Sequence, residues 1–351
     1  MKGYVLLADG MRLDGALVGP PKTAVGWLVA NTAVVGFQEM VTDPAYKGTV
    51  LAFTYPEIGN VGAAEAFSES AQVQVEGLVV KVLSEYRSHY LSEKDFSEML
   101  AQAEVPCLAG IDTRALAVHL RDAGEMPAAI APADADASAL KRTLVALQRP
   151  EWRPSRLSAV DPAEGGPRVA VVNLGIRRSQ LRQLGACCRA TMFGPEAEAG
   201  DILGVRPAGV FVSDGPGVGL PPGEAVETIR ALLGKVPMLG CGLGHVALGM
   251  ALGCATGFLK RGHHGANYPV RHVVDGTVGV TEQRHTVVLD RASVLRSPRA
   301  ALLYENVNDQ TVEGIMTAGG LATGVQDTLA APAPGLVNPV IRRFVGGLSS
   351  G

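Results

Sequence analysis

Apolar positions in the first third of the chain fall in short blocks at 3–8, 16–18, 26–30 and 50–54, each bounded by turn residues. Blocks of that length between Gly, Pro and Asp predict strands. Farther on the spacing changes. Apolar residues recur three and four apart over 95–103 and 113–123, which predicts amphipathic helices, and Asp112 stands where an N-terminal cap belongs. Residues 133–167 are dominated by Ala, Pro, Asp and Arg, with one helical pattern over 137–147, and read as a connection between domains.

From residue 168 the rhythm alters again. Arg168-Val-Ala-Val-Val-Asn173 is a strand-like run followed by Gly175 and a helical pattern to 184. Strand patterns follow at 190–193 and 209–213, then a helix at 224–233 and an apolar helix at 246–253. Strands that do not alternate are buried on both faces, and interleaving them with helices predicts a doubly wound, mostly parallel sheet. The expected organisation is a mixed β/α domain over 1–132, the connection 133–167, and an α/β domain over 168–351. Ligands of such sheets bind at the carboxyl ends of the strands, where Gly215, Gly217 and Gly242 fall.

Composition narrows the function classes. A chain of 351 residues, 47% apolar, can fill two cores. The net charge of −3 provides no footprint for nucleic acid. Five cysteines, at 107, 187, 188, 241 and 254, include no C-x-x-C pair, as expected of reduced thiols in a cytoplasm. The N-terminal apolar run is too short for a secretion signal, and no apolar run approaches 18 residues, so a cytoplasmic protein without a membrane partner is expected. No cofactor is implied. Adjacent His263 and His264 lack the spacing of metal ligands, so no metal is expected.

The candidate chemistry centres on Pro237-Met-Leu-Gly-Cys-Gly-Leu-Gly-His-Val246. An apolar approach, a glycine-rich bend and an apolar helix present one residue at a strand-to-helix turn, where surrounding backbone N–H groups can hold an oxyanion. The stretch resembles the G-x-C-x-G-H-Q turn of class I glutamine amidotransferases. More of the chain carries the likeness: Asn31-Thr-Ala-Val-Val-Gly-Phe-Gln-Glu39, Thr42-Asp-Pro-Ala-Tyr46, Thr54-Tyr-Pro-Glu-Ile-Gly-Asn-Val-Gly62, Ile111-Asp-Thr-Arg114, Ser213-Asp-Gly-Pro-Gly217, Gly262-His-His-Gly-Ala-Asn-Tyr-Pro269 and Asp309-Gln-Thr-Val-Glu-Gly314. In order and spacing these are similar to the small subunit of carbamoyl-phosphate synthetase. That resemblance implies glutamine hydrolysis by a Cys-His-Glu triad and delivery of ammonia to a large synthetase subunit.

Residue by residue, the triad is vacant. The nucleophile position is Gly242, the base position Thr328 and the orienting position Ala330. Cys241 stands one residue early, in a register that points into the strand. The serine that the first domain lends is Ala45, the glutamine after Gly-His is Val246, and the Q-N-H-G-F loop reads Gln283-Arg-His-Thr-Val287. What persists is backbone: Gly215, Gly217, Gly242 and Leu243 can form an anion-binding nest. Arg284 adds a guanidinium that could select an anion, with Asp327 or Thr328 orienting it, although Asp327 could equally be its structural counter-charge. His245 and His285 are expected to pack rather than to catalyse, and Cys187-Cys188 to be a helix-end pair.

Three readings stand. The crevice between domains is repurposed for a different small polar or anionic molecule; the chain is a silent subunit that docks on a synthetase large-subunit partner or on itself; or Cys241 serves as nucleophile in an unusual register.

Overall fold

The computed structural model describes residues 1–149 and 165–348. The chain divides into two compact units, Met1–Pro150 with Lys260–Gly265, and Glu151–Leu259 with Ala266–Gly351.

The first unit runs β1 (Lys2–Leu7), β2 (Arg12–Val18), β3 (Ala24–Asn31), α1 (Phe37–Val41), β4 (Thr49–Phe53), β5 (Glu57–Ile58), β6 (Gly77–Val79), β7 (Val82–Leu83), α2 (Phe96–Gln102), β8 (Cys107–Ala109), α3 (Thr113–Ala123), β9 (Met126–Pro132) and α4 (Ala137–Ala146). Seven of these strands close into a barrel in the order β1-β2-β8-β6-β4-β3-β9, with parallel pairs at β3-β4, β4-β6 and β6-β8. Val5, Leu7, Leu28, Val50, Val79, Leu108 and Ile130 fill one core cluster of this unit. Asp112 caps α3 by accepting from Ala115 N, as its position predicts. Residues 133–149 do more than connect: α4 packs on β1 and β9, and Leu144 is fully buried with Tyr4, Leu6, Ala129 and Ala131. The rest of the expected connection, 150–164, lies outside the described residues. The apolar pattern does not disclose β9, because Met-Pro-Ala-Ala-Ile-Ala-Pro has little intrinsic strand preference; pairing with β1 and β3 imposes it.

The second unit holds β10 (Arg168–Val172), α5 (Arg178–Gly185), β11 (Arg189–Phe193), α6 (Ala199–Gly204), β12 (Gly209–Val212), α7 (Gly223–Leu232), β13 (Met238–Cys241), α8 (Leu243–Ala251), most of β14 (Thr256–His272), β15 (Val278–Leu289), α9 (Arg291–Arg296), β16 (Ala300–Asn306), β17 (Val312–Thr317), β18 (Ala322–Val325) and α10 (Pro339–Gly346). Strands β11-β10-β12-β13-β18 are parallel and β17-β16-β14 continue antiparallel, with β15 at the far edge. Two clusters cover the two faces, one with α6, α7 and α8, the other with α5 and α10. This is the mixed α/β arrangement expected, a largely parallel doubly wound sheet following an N-terminal β/α unit. α8 begins at Leu243 rather than 246 because Gly244 belongs to the helix, where a Cβ would collide with the backbone of Val212.

Candidate functional site: an elbow closed by a carboxylate

β13 runs parallel to β12 and β18, so its carboxyl end is the middle of the sheet's binding edge. The chain leaves it through Gly242, with φ 51° and ψ −117°, and enters α8 at once. Only glycine takes that conformation readily. The bend is held by Gly242 N–H donating to Val325 O at 2.9 Å. It therefore has the shape of a nucleophile elbow, without a side chain at its apex.

The space above the apex is occupied. A Cβ on Gly242 would overlap the carboxylate of Asp214, the residue two beyond the end of β12. Asp214 Oδ1 accepts from Gly215 N at 2.8 Å and from Leu243 N at 2.9 Å. Gly215 and Leu243 are two of the residues expected to bind an external anion, and their N–H groups instead serve an internal one. Gly217 is tied to β15 through its backbone. Its carbonyl accepts from Thr286 N and Val287 N, and the absence of a Cβ lets the backbone of Arg284 pass close by.

Burial pushes the Asp214 carboxyl above its ordinary range, against the Leu243 N–H, the Arg177 guanidinium and the Gly215 N–H, which favour its charge. Arg177, 2% exposed and standing just before α5, also donates to the carbonyl of Thr328. Gln180 donates to the same carbonyl at 3.0 Å. Thr328 thus contributes mainly backbone: its N–H donates to Glu282 O at 3.0 Å and its hydroxyl to Glu282 Oε2 at 3.3 Å. Ala330 accepts a bond from Asn338 Nδ2 at 2.9 Å through its carbonyl. Neither position supplies a base.

Arg284 stands on β15. It is 7% exposed and forms an ion pair with Glu282, two residues along the same strand, rather than with Asp327. The backbone N–H groups of Leu329 and Glu282 favour the charged form of Asp327. Burial raises its carboxyl to about 6, opposed by those N–H groups and by Arg177, and reinforced by Glu282. Three carboxylates, Asp214, Glu282 and Asp327, thus gather in one region with two guanidiniums, Arg177 and Arg284.

Cys241 is fully buried in the α5–α10 face, its sulfur 3.4 Å from Gln180 Nε2. Burial, and then the Asp214 charge, push its thiol far above the ordinary range. His245 is buried and its pKa falls to about 4, again through burial, so it stays neutral near pH 7. His285 is buried between Val287 O at 3.1 Å and Gln283 Oε1 at 3.2 Å. Val246 lies in the core. In the first unit Ala45 is buried in its own turn, its N–H donating to Asp43, and His264 faces Glu125 at 3.2 Å. Sequence reasoning missed Asp214, Arg177 and Glu282. The signal for the first was present, an acid in the quoted Ser-Asp-Gly-Pro-Gly run directly beside the glycine of the nest.

Residues 5–130 match the carbamoyl-phosphate synthase small chain, CPSase domain, and residues 171–326 match glutamine amidotransferase class-I. The carbamoyl phosphate synthase small chain of Methanopyrus kandleri is 37% identical over 95% of this chain and 95% of its own. That of Symbiobacterium thermophilum is 38% identical over 88% of each, and that of Listeria innocua 35% identical over 98% and 96%. The chain belongs to the carbamoyl phosphate synthase small-chain family.

Proposed function

We propose that this family member does not hydrolyse glutamine and acts as a silent small subunit, docking on a synthetase large-chain partner that it stabilises or regulates. The observation that carries the reading is Asp214, whose carboxylate fills the N–H nest of Gly215 and Leu243 directly above a side-chain-free apex at Gly242. Amide hydrolysis at such an elbow needs a nucleophile at the apex, a base within hydrogen-bond reach of it, and free donors for the developing oxyanion. Here the apex is glycine, Thr328 takes the place of the base, and the donors are engaged. Loss of the nucleophile alone would remove several orders of magnitude in rate.

Cys241 offers no way around this. Its thiol is held protonated in the core, and moving it to the apex would reverse the register of β13. The anion-binding version of a repurposed pocket is not supported either, because the nest already holds a carboxylate and Arg284 is paired with Glu282. The family resemblance supplies the partner: small chains of this kind work with a large synthetase chain.

The test has two parts. Purified protein is assayed for glutamate release from glutamine, and its co-purification with a carbamoyl phosphate synthase large chain from the same organism is measured. A complex without glutamate release is expected. Glutamate release that disappears in Cys241→Ser would overturn the first part, and absence of a complex would overturn the second.

A further inference from the structure

A hollow lies in the second unit, and what it binds is independent of the proposal above. It measures about 300 Å³, near the low end for small-molecule sites. Its lining includes exposed Thr277, Val278 and Gly279 beside buried Gln283 and Glu313, with Val270, Val325 and Val340 as apolar wall. Asp327 and Glu313 both line it, and among the described residues no lysine, arginine or histidine does.

We propose that this cavity binds a small organic cation, a primary ammonium on a short aliphatic body, with Asp327 as its counter-charge. The wall chemistry selects the body. Valine side chains gain from covering hydrocarbon, and the volume limits it to a few carbons. The charge balance selects the head. Asp327 comes from the strand end after β18; Arg177 before α5 and Glu282 on β15 bear on its charge, Glu313 on β17 shares the cavity lining, and a ring nitrogen of His285 lies within 4.8 Å of the Glu313 carboxylate. Arg284 pairs with Glu282, and Arg177 is shared between Asp214 and Asp327. The cluster therefore carries more carboxylates than guanidiniums, and an anion entering beside Asp327 and Glu313 would be repelled. Glu313 is held by Gln283 Nε2 at 2.8 Å, Thr311 Oγ1 at 2.9 Å and Asn306 Nδ2 at 3.0 Å, which fixes it as part of the floor. Without a ligand the excess charge is met by proton uptake, which is how the raised Asp327 carboxyl behaves. A bound ammonium replaces that proton.

The experiment is calorimetric titration of the full chain with n-pentylammonium, 1-pentanol, pentanoate and ammonium chloride at pH 5 and 7.5. Pentylammonium should bind, and with an Asp327 carboxyl near 6 its affinity should fall about tenfold from pH 7.5 to 5. Pentanol, pentanoate and bare ammonium should bind at least tenfold more weakly. Asp327→Asn should abolish the interaction. Gly279→Trp provides a second variant at an exposed lining position where an added Cβ meets nothing within 4 Å; it should block entry without lowering Tm. Equal binding of pentanoate, pentanol or ammonium, no affinity change with pH, or undiminished binding in either folded variant would overturn the proposal.

Discussion

Asp214 accepts the N–H of Leu243 at 2.9 Å, joining the end of one parallel strand to the start of the helix that follows the next. The contact sets a buried carboxyl group over the main-chain donors at the turn. The strand-to-helix turn at Gly242 thus has two of its neighbouring N–H groups satisfied within the chain.

Removing that carboxylate should open the nest to small anions. In Asp214→Gly two buried N–H groups lose their acceptor, which costs about 1–3 kcal/mol for each unsatisfied group. Acetate or formate should recover much of the loss by taking the vacated place. Urea denaturation with and without acetate measures it; equal acetate stabilisation of the wild type would mean that the nest was never closed.

Any side chain at 242 meets two obstacles, the positive φ and the Asp214 carboxylate. Gly242→Ala should therefore lower stability by about 2–4 kcal/mol, combining backbone strain with overpacking. Combined with Asp214→Gly, the same substitution should cost less than it does alone. A double-mutant cycle showing strict additivity would contradict the steric account.

Asp327 gives a pH signature with a definite sign. Its carboxyl sits at about 6 in the folded chain against an ordinary 3.8, so between these values the folded state holds a proton that the unfolded state has released. Its contribution is present in full below the ordinary value and is lost as pH rises through the folded one. Asp327→Asn should match the wild type at pH 4 and exceed it by about 2–3 kcal/mol at pH 7.5, since a tenfold change in proton affinity corresponds to roughly 1.4 kcal/mol. The difference between the two stability profiles is the readout, and a flat difference would refute the assignment.

Arg177 should act in the opposite sense. Its guanidinium favours the charged forms of Asp214 and Asp327, so Arg177→Met leaves both acids buried without that counter-charge. A loss of about 3–5 kcal/mol is expected at pH 7.5. The loss should shrink in acid, where the carboxylates are already protonated. A deficit that grows toward low pH would reverse the argument.

Thiol labelling separates the cysteines. Cys187 is half-buried, and the neighbouring Cys188 lowers its pKa, whereas Cys241 is enclosed and raised. Iodoacetamide on the native protein, read by peptide mass, should modify Cys187 first and leave Cys241 untouched until unfolding.

The parallel half of the second unit was legible because its strands are unbroken apolar runs between helices, so β10, β11, β12 and α7 fall within a residue or so of where periodicity puts them. The chain from β14 to β17 was not, since Thr256–His272 is a long run rich in Gly, His and Arg without alternation. Its last three residues pair with β16 and β15 neighbours it on the other side, a tertiary cause. At the site, the absence of any polar side-chain group at 242 and 330 could be read directly. The occupant could not, because Asp214 lies 28 residues before Gly242 in sequence and adjoins it only through the sheet.

The two sheets also differ in how they would open. A closed barrel has no edge from which to fray, so amide exchange in the seven strands of the first unit should be governed by one cooperative event. The nine-stranded sheet has edges at β11 and β15, and its protection should climb inward from both. The turn at Gly242 follows β13, well inside. The amides of β13, and of the turn it feeds, should therefore be among the last of that sheet to exchange.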